Sequence, residues 1–171
     1  EIMGTSFAAP RVAGMVAQIQ EMAEEMFSRL LSVDEVLDVL DAVTDTITGY
    51  FTGVEKNMLT YDGVMKAFSN VFDVAVEIDS TADLKLIYYN GEYSIENNSG
   101  SFSLDLVKDA ATLNENMTGD WDPFQIEANA DGGYTLVLRQ EFGDTEYIQW
   151  DFNASGEFIS ETILTDAALP D

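Results

Sequence analysis

The chain has 171 residues, 46% of them hydrophobic, enough for one medium domain or two small ones with packed cores. Seven basic residues against thirty-two acidic ones give a net charge of −25, which argues against nucleic acid and against an anionic membrane surface as partners. No apolar run is long enough to span a bilayer, and the absence of cysteine excludes disulfides.

The first segment in chain order is Gly4-Thr5-Ser6-Phe7-Ala8-Ala9-Pro10-Arg11-Val12-Ala13-Gly14. It reads as a turn that delivers Ser6 to the start of a long helix. Gly4 allows a close backbone approach. Ala8, Ala9, Ala13 and Gly14 keep one helix face thin, and Pro10 falls in the first turn, where a missing N–H costs little. A serine at such a place faces unpaired backbone N–H groups and the positive end of the helix macrodipole. These residues resemble the nucleophile segment of subtilisin-like serine proteases, G-T-S-x-A-x-P-x-V-A-G, at every fixed position. The resemblance implies that Ser6 is the catalytic nucleophile, with Gly4, Thr5 and the Ser6 backbone supporting the oxyanion. It also implies a protein or peptide substrate and a secreted serine endopeptidase that requires no cofactor. Phe7 stands where many members carry a methionine open to oxidation, and Arg11 where many carry a histidine outside the catalytic set.

The chain contains no histidine at all. A serine triad needs an imidazole to take the hydroxyl proton. In the family the acid, the base and the asparagine oxyanion donor precede the serine, here only five residues from the first position. The expectation is therefore a C-terminal segment of the catalytic domain, inactive without its missing N-terminal part. The alternatives are a catalytically dead relative, and a β module whose role is binding or anchoring.

Apolar residues at Val12, Met15, Val16, Ile19, Met22, Ala23, Met26, Phe27 and Leu30 extend the first helix. Ser32-Val33-Asp34-Glu35 is a capping box opening a second helix, with a stripe at Val36, Leu37, Leu40, Val43 and Ile47 and a stop near Gly49. A short closing helix begins near Tyr61-Asp62-Gly63, and the protease-like part covers residues 1–71. From Phe72 the period changes to two, opening an antiparallel β domain over 72–171, so the fold class is α+β. About eight strands are expected. They start near Phe72, Leu84, Tyr93, Phe102, Phe124, Tyr134, Thr145 and Glu157, with Asn90-Gly91 as a two-residue hairpin turn. Lys108–Leu113 reads as a short helix and Asn114–Asp120 as a loop. Phe124, Ile126, Leu136, Leu138, Ile148, Trp150 and Phe152 share one face.

Segments 72–107 and 123–164 echo each other as a repeat. Asn97-Asn98-Ser99-Gly100-Ser101-Phe102 matches Asn153-Ala154-Ser155-Gly156-Glu157-Phe158, and Leu84-Lys85-Leu86 matches Leu136-Val137-Leu138. The second copy resembles tryptophan-containing repeats of bacterial secreted proteins. Asp151, Asn153 and Ser155 with Gly156 are spaced like the start of a calcium loop, but Thr162 stands where its bidentate acid belongs, so a hairpin turn is the better reading. Tyr88, Tyr89, Tyr93 and Tyr147 are candidates for a stacking platform, with packing as the cheaper account.

Overall fold

A computed structural model describes residues 8–43, 46–48, 55–57, 60–81, 83–119, 121–140 and 146–164. The chain is α+β and divides into two compact units, Glu1–Val74 and Ala75–Asp171.

In the first unit, α1 spans Ala8–Phe27, α2 Val33–Ala42 and α3 Tyr61–Phe72, with a short antiparallel pair β1 (Thr46–Thr48) and β2 (Glu55–Asn57) between α2 and α3. The buried stripe of α1 is Met15, Ile19 and Ala23, steps of four residues that put all three on one side. Helix α3 packs on both α1 and α2, and Phe27, Phe68 and Phe72 form an aromatic cluster with centroids 4.8–5.9 Å apart. Gln20 fixes the link to α2, because its amide both donates to the Leu31 carbonyl (3.1 Å) and accepts from the Leu31 N–H (2.7 Å). Helix α2 starts with the expected capping box: Ser32 accepts from the Glu35 N–H and the Glu35 carboxylate accepts from the Ser32 N–H.

Helix α2 is shorter than its sequence suggests. Val43 has extended backbone (ψ 119°), the helix ends at Ala42, and Ile47 lies in β1. The buried side is therefore Val36, Val39 and Val43, while Leu37 is 49% exposed. Similarly, Phe72 closes α3 instead of opening a strand. Asp73, in the left-handed region at φ +55°, ends the helix, and its N–H donates back to the Ser69 carbonyl.

The second unit holds two four-stranded antiparallel meanders with the same strand order. The first is β3 (Val76–Ser80), β4 (Leu84–Tyr89), β5 (Glu92–Asn97) and β6 (Ser103–Asp105). A small hairpin of β7 (Val107–Lys108) and β8 (Ala111–Thr112) follows, then the one-turn helix α4 (Glu115–Thr118). The second meander is β9 (Asp122–Ala128), β10 (Tyr134–Gln140), β11 (Glu146–Phe152) and β12 (Phe158–Leu164). This makes ten strands among the described residues of the unit, against about eight expected. The excess is the β7–β8 pair, which replaces the helix expected at Lys108–Leu113, and α4 occupies the expected loop. Asp109 and Ala110 both adopt positive φ (+53° and +62°), the turn geometry that matches strand twist in a tight hairpin. Asn90 and Gly91 do the same between β4 and β5 (+51° and +83°), as the Asn-Gly pair foretells.

One residue of the expected core face is displaced. Ile126, Leu136, Leu138, Ile148, Trp150 and Phe152 are all buried, but the β9–β10 register shifts between Val137 and Leu138. That bulge places Pro123 opposite Leu138 and turns Phe124 to the other face, where its ring meets Tyr147 (centroids 5.8 Å) and the Arg139 guanidinium (5.2 Å). Proline fits there because β9 is an edge strand and a bulge needs no ladder donor.

Candidate functional site

Gly4, Thr5 and Ser6 lie outside the described residues, so the Gly4–Gly14 segment enters the described structure only at Ala8. From there its remaining residues form the start of α1, a 20-residue helix in which Pro10 is the third residue. No acidic side chain occupies the first turn, so nothing there offsets the partial positive charge of the helix N-terminus. Pro10, Arg11, Val12, Ala13 and Gly14 are all exposed, and a Cβ built on Gly14 meets nothing within 4 Å. The run covers more than one full turn, so α1 is exposed on every side over Pro10–Gly14. Burial begins at Met15, whereas Val16 is half-buried.

The calcium-like stretch is a hairpin turn whose oxygens are engaged. The Asn153 side-chain oxygen accepts from the N–H groups of Ser155 (2.8 Å) and Glu157 (3.0 Å). In the Asp151 carboxylate, one oxygen accepts from Thr135 (3.0 Å) and Gln149 (2.8 Å), and the other from Ser160 (3.0 Å). Among the described residues no group of three or more acidic side chains is arranged to hold a metal ion. The same turn occurs at Asn129, whose side-chain oxygen accepts from the Asp131 and Gly133 N–H groups, whereas the Asn97 turn is one residue longer and its side-chain oxygen accepts from the Ser101 and Phe102 N–H groups. Asn129-Ala130-Asp131-Gly132 and Asn153-Ala154-Ser155-Gly156 share asparagine, alanine and glycine at the same positions, and both segments read as turns from the sequence.

The tyrosines do not form a platform. Tyr88 and Tyr93 are fully buried and pack edge to face (5.3 Å), Tyr89 is 45% exposed, and Tyr147 is half-buried against Phe124. A cluster that the sequence hides sits on the buried face of the second meander. The Lys108 ammonium lies 4.1 Å from the Trp150 ring centroid and 5.1 Å from that of Phe158, while the Trp150 indole N–H donates to Glu161 (2.8 Å). With Met117, Trp121 and Ile163 these residues border a cleft of about 310 Å³. Lys108 comes from β7 and Trp150 from β11, so no sequence spacing could have joined them. The arrangement orders a packed indole, with an ammonium against its ring and a carboxylate on its N–H, and it holds no nucleophile with a base.

No family model matches the chain, and no curated protein or solved structure matches it either.

Proposed function

We propose that this chain carries the nucleophile segment of a subtilisin-like serine endopeptidase, with Ser6 as the residue acylated by a protein or peptide substrate. The observation that supports it is the eleven-residue segment Gly4–Gly14, which agrees with the family pattern at every fixed position. Ser6 Oγ attacks the scissile carbonyl carbon and its proton passes to a histidine. The carbonyl oxygen becomes an oxyanion facing backbone N–H groups ahead of α1, including that of Ser6. Collapse of the tetrahedral species expels the amine, and water then hydrolyses the acyl ester. Because the chain has no histidine, the base comes from polypeptide outside these 171 residues, as do the orienting aspartate and the asparagine donor. A secreted location and an extracellular substrate belong to this same reading.

The test is labelling by a fluorophosphonate. The 171 residues alone should resist it, while polypeptide that joins them to a His-bearing catalytic segment should label, and Ser6→Ala should abolish the signal. A folded, joined product that never labels would reduce Ser6 to the cap of a helix in a dead relative. A second reading, a binding or anchoring module, is favoured by one observation: Ala75–Asp171 is a compact unit with a core of its own. Retention of the whole chain on a glycan, polymer or cell surface, lost on mutation within that unit, would support it.

A further inference from the structure

Ala75–Asp171 holds twenty acidic residues and only three basic ones, so each cation there has many carboxylates to choose from. Lys85 takes one of them, Glu77. Lys108 takes none. Its half-buried ammonium lies over the Trp150 and Phe158 rings, and among the described residues it makes no hydrogen bond and no ion pair. An ammonium carries three N–H donors, and the two rings accept none of them in the ordinary way.

The cleft beside Lys108 has two unlike walls. Strand β11 turns Glu146, Ile148 and Trp150 to one side by alternation, and β12 sets Glu161 opposite Trp150. The other wall comes from Lys108 of β7, Met117 of α4 and Trp121 just before β9. The volume, about 310 Å³, is at the small end for ligand pockets and suits a body of roughly one amino acid.

A single indole spaces the charges. The Lys108 ammonium lies on the Trp150 ring face, while Glu161 Oε2 accepts from the indole N–H at its edge. Held at different sides of one ring, the two do not pair with each other. Among the described residues Glu161 Oε1 and the Glu146 carboxylate accept nothing. A plain anion would answer Lys108 but would meet both carboxylates and a chain of net charge −25. A plain cation would answer the carboxylates and be repelled by Lys108. A small ligand that carries both charges on an apolar body answers all three.

We infer that this cleft binds a free apolar α-amino acid as its zwitterion. The ligand carboxylate accepts from Lys108 Nζ, and its ammonium donates to Glu161 Oε1 and Glu146. Its side chain packs against Met117, Ile148 and Trp121. The site is independent of Ser6 and of any protease activity.

Both tryptophans of the chain border the cleft, so their fluorescence reports its filling. Titration of the whole chain with L-leucine or L-phenylalanine at about pH 6 should change the emission saturably. At that pH the ammonium of L-leucinamide also stays charged. L-leucinamide, which lacks the carboxylate, and N-acetyl-L-leucine, which lacks the ammonium, should each bind at least about tenfold more weakly than L-leucine. Lys108→Met keeps an apolar chain on the rings and should weaken L-leucine by a similar factor without weakening L-leucinamide. Lys108→Arg, which restores a cation, should bring L-leucine binding back. No saturable response to either amino acid would overturn the proposal. So would equal binding of L-leucine and its two derivatives, or a Lys108→Met chain that binds L-leucine as the wild type does.

Discussion

Gly156 and Gly100 occupy the same position of the repeated N-x-S-G-x-F at nearly the same φ (+77° and +66°), yet their surroundings differ. Alanine at either position incurs the left-handed backbone penalty, roughly 1–2 kcal/mol. At Gly156 the new methyl must also displace the Asp105 carbonyl, and the hydrogen bond from Val107 goes with it. Gly156→Ala should therefore be the costlier change, by about 1–3 kcal/mol as is usual for forced overpacking. Urea unfolding of the two variants side by side checks this, and equal losses would mean that the turn alone sets the cost. Both glycines are visible in the sequence as parts of the repeated N-x-S-G-x-F. The difference between them is not, because it depends on a strand end brought up from fifty residues away.

The element whose sequence speaks most plainly is α2. Ser32 and Glu35 name its start, and the structure adds an ion pair that reinforces the cap: the Arg29 guanidinium donates twice to the Glu35 carboxylate (2.6 and 3.0 Å). That pair, with the Ser32 backbone and hydroxyl donors, lowers the Glu35 pKa from 4.5 to about 2. A carboxylate whose folded pKa is depressed contributes stability above its unfolded pKa and loses it as pH falls. The α2 cap should accordingly weaken between pH 4.5 and about 2, and Glu35→Gln should flatten that part of the melting-temperature profile read at 222 nm. A Gln variant with the wild-type slope would assign the acid sensitivity to other carboxylates. The end of α2 is hidden in the sequence for a physical reason. Val43 and Ile47 continue the helical spacing, but two β-branched residues beside Thr44 and Thr46 favour extended backbone once the last buried contact is made. The position of Phe124 is hidden in a similar way, since a bulge at Pro123 reverses the period-two count and periodicity has no symbol for an extra residue. The strands β4, β5, β10 and β11, which lack that interruption before their ends, were legible nearly to the residue. Of the candidate site, the sequence gives the serine and its helix, whereas the Lys108–Trp150–Glu161 cluster comes from three separate strands and becomes visible only on folding.

Charge acts at the scale of the whole chain, and it acts unequally on the two units. Ala75–Asp171 carries twenty acidic and three basic residues, against twelve and four in Glu1–Val74. Like charges confined to a compact unit repel more than in the expanded chain, so each unit is destabilised by its own net charge, and added salt relieves this by shortening the Debye length to about 10 Å at 0.1 M. The ion pair between Lys85 and Glu77 in the β unit runs the other way, but an exposed pair is worth little and salt costs it little. Burial raises the Glu77 pKa while the Lys85 and Ser80 hydrogen bonds lower it, and the lowering prevails. The net expectation is that salt raises the melting temperature of the β unit more than that of the helical unit. The chain reports the two separately, because both tryptophans, Trp121 and Trp150, lie in Ala75–Asp171, while α1, α2 and α3 supply most of the helical ellipticity from Glu1–Val74. Melts followed in parallel by tryptophan fluorescence and at 222 nm, with increasing NaCl, should show the fluorescence midpoint climbing faster. Midpoints that climb together would mean that the units melt as one cooperative body and that the surplus charge of the β unit is shared by the whole chain.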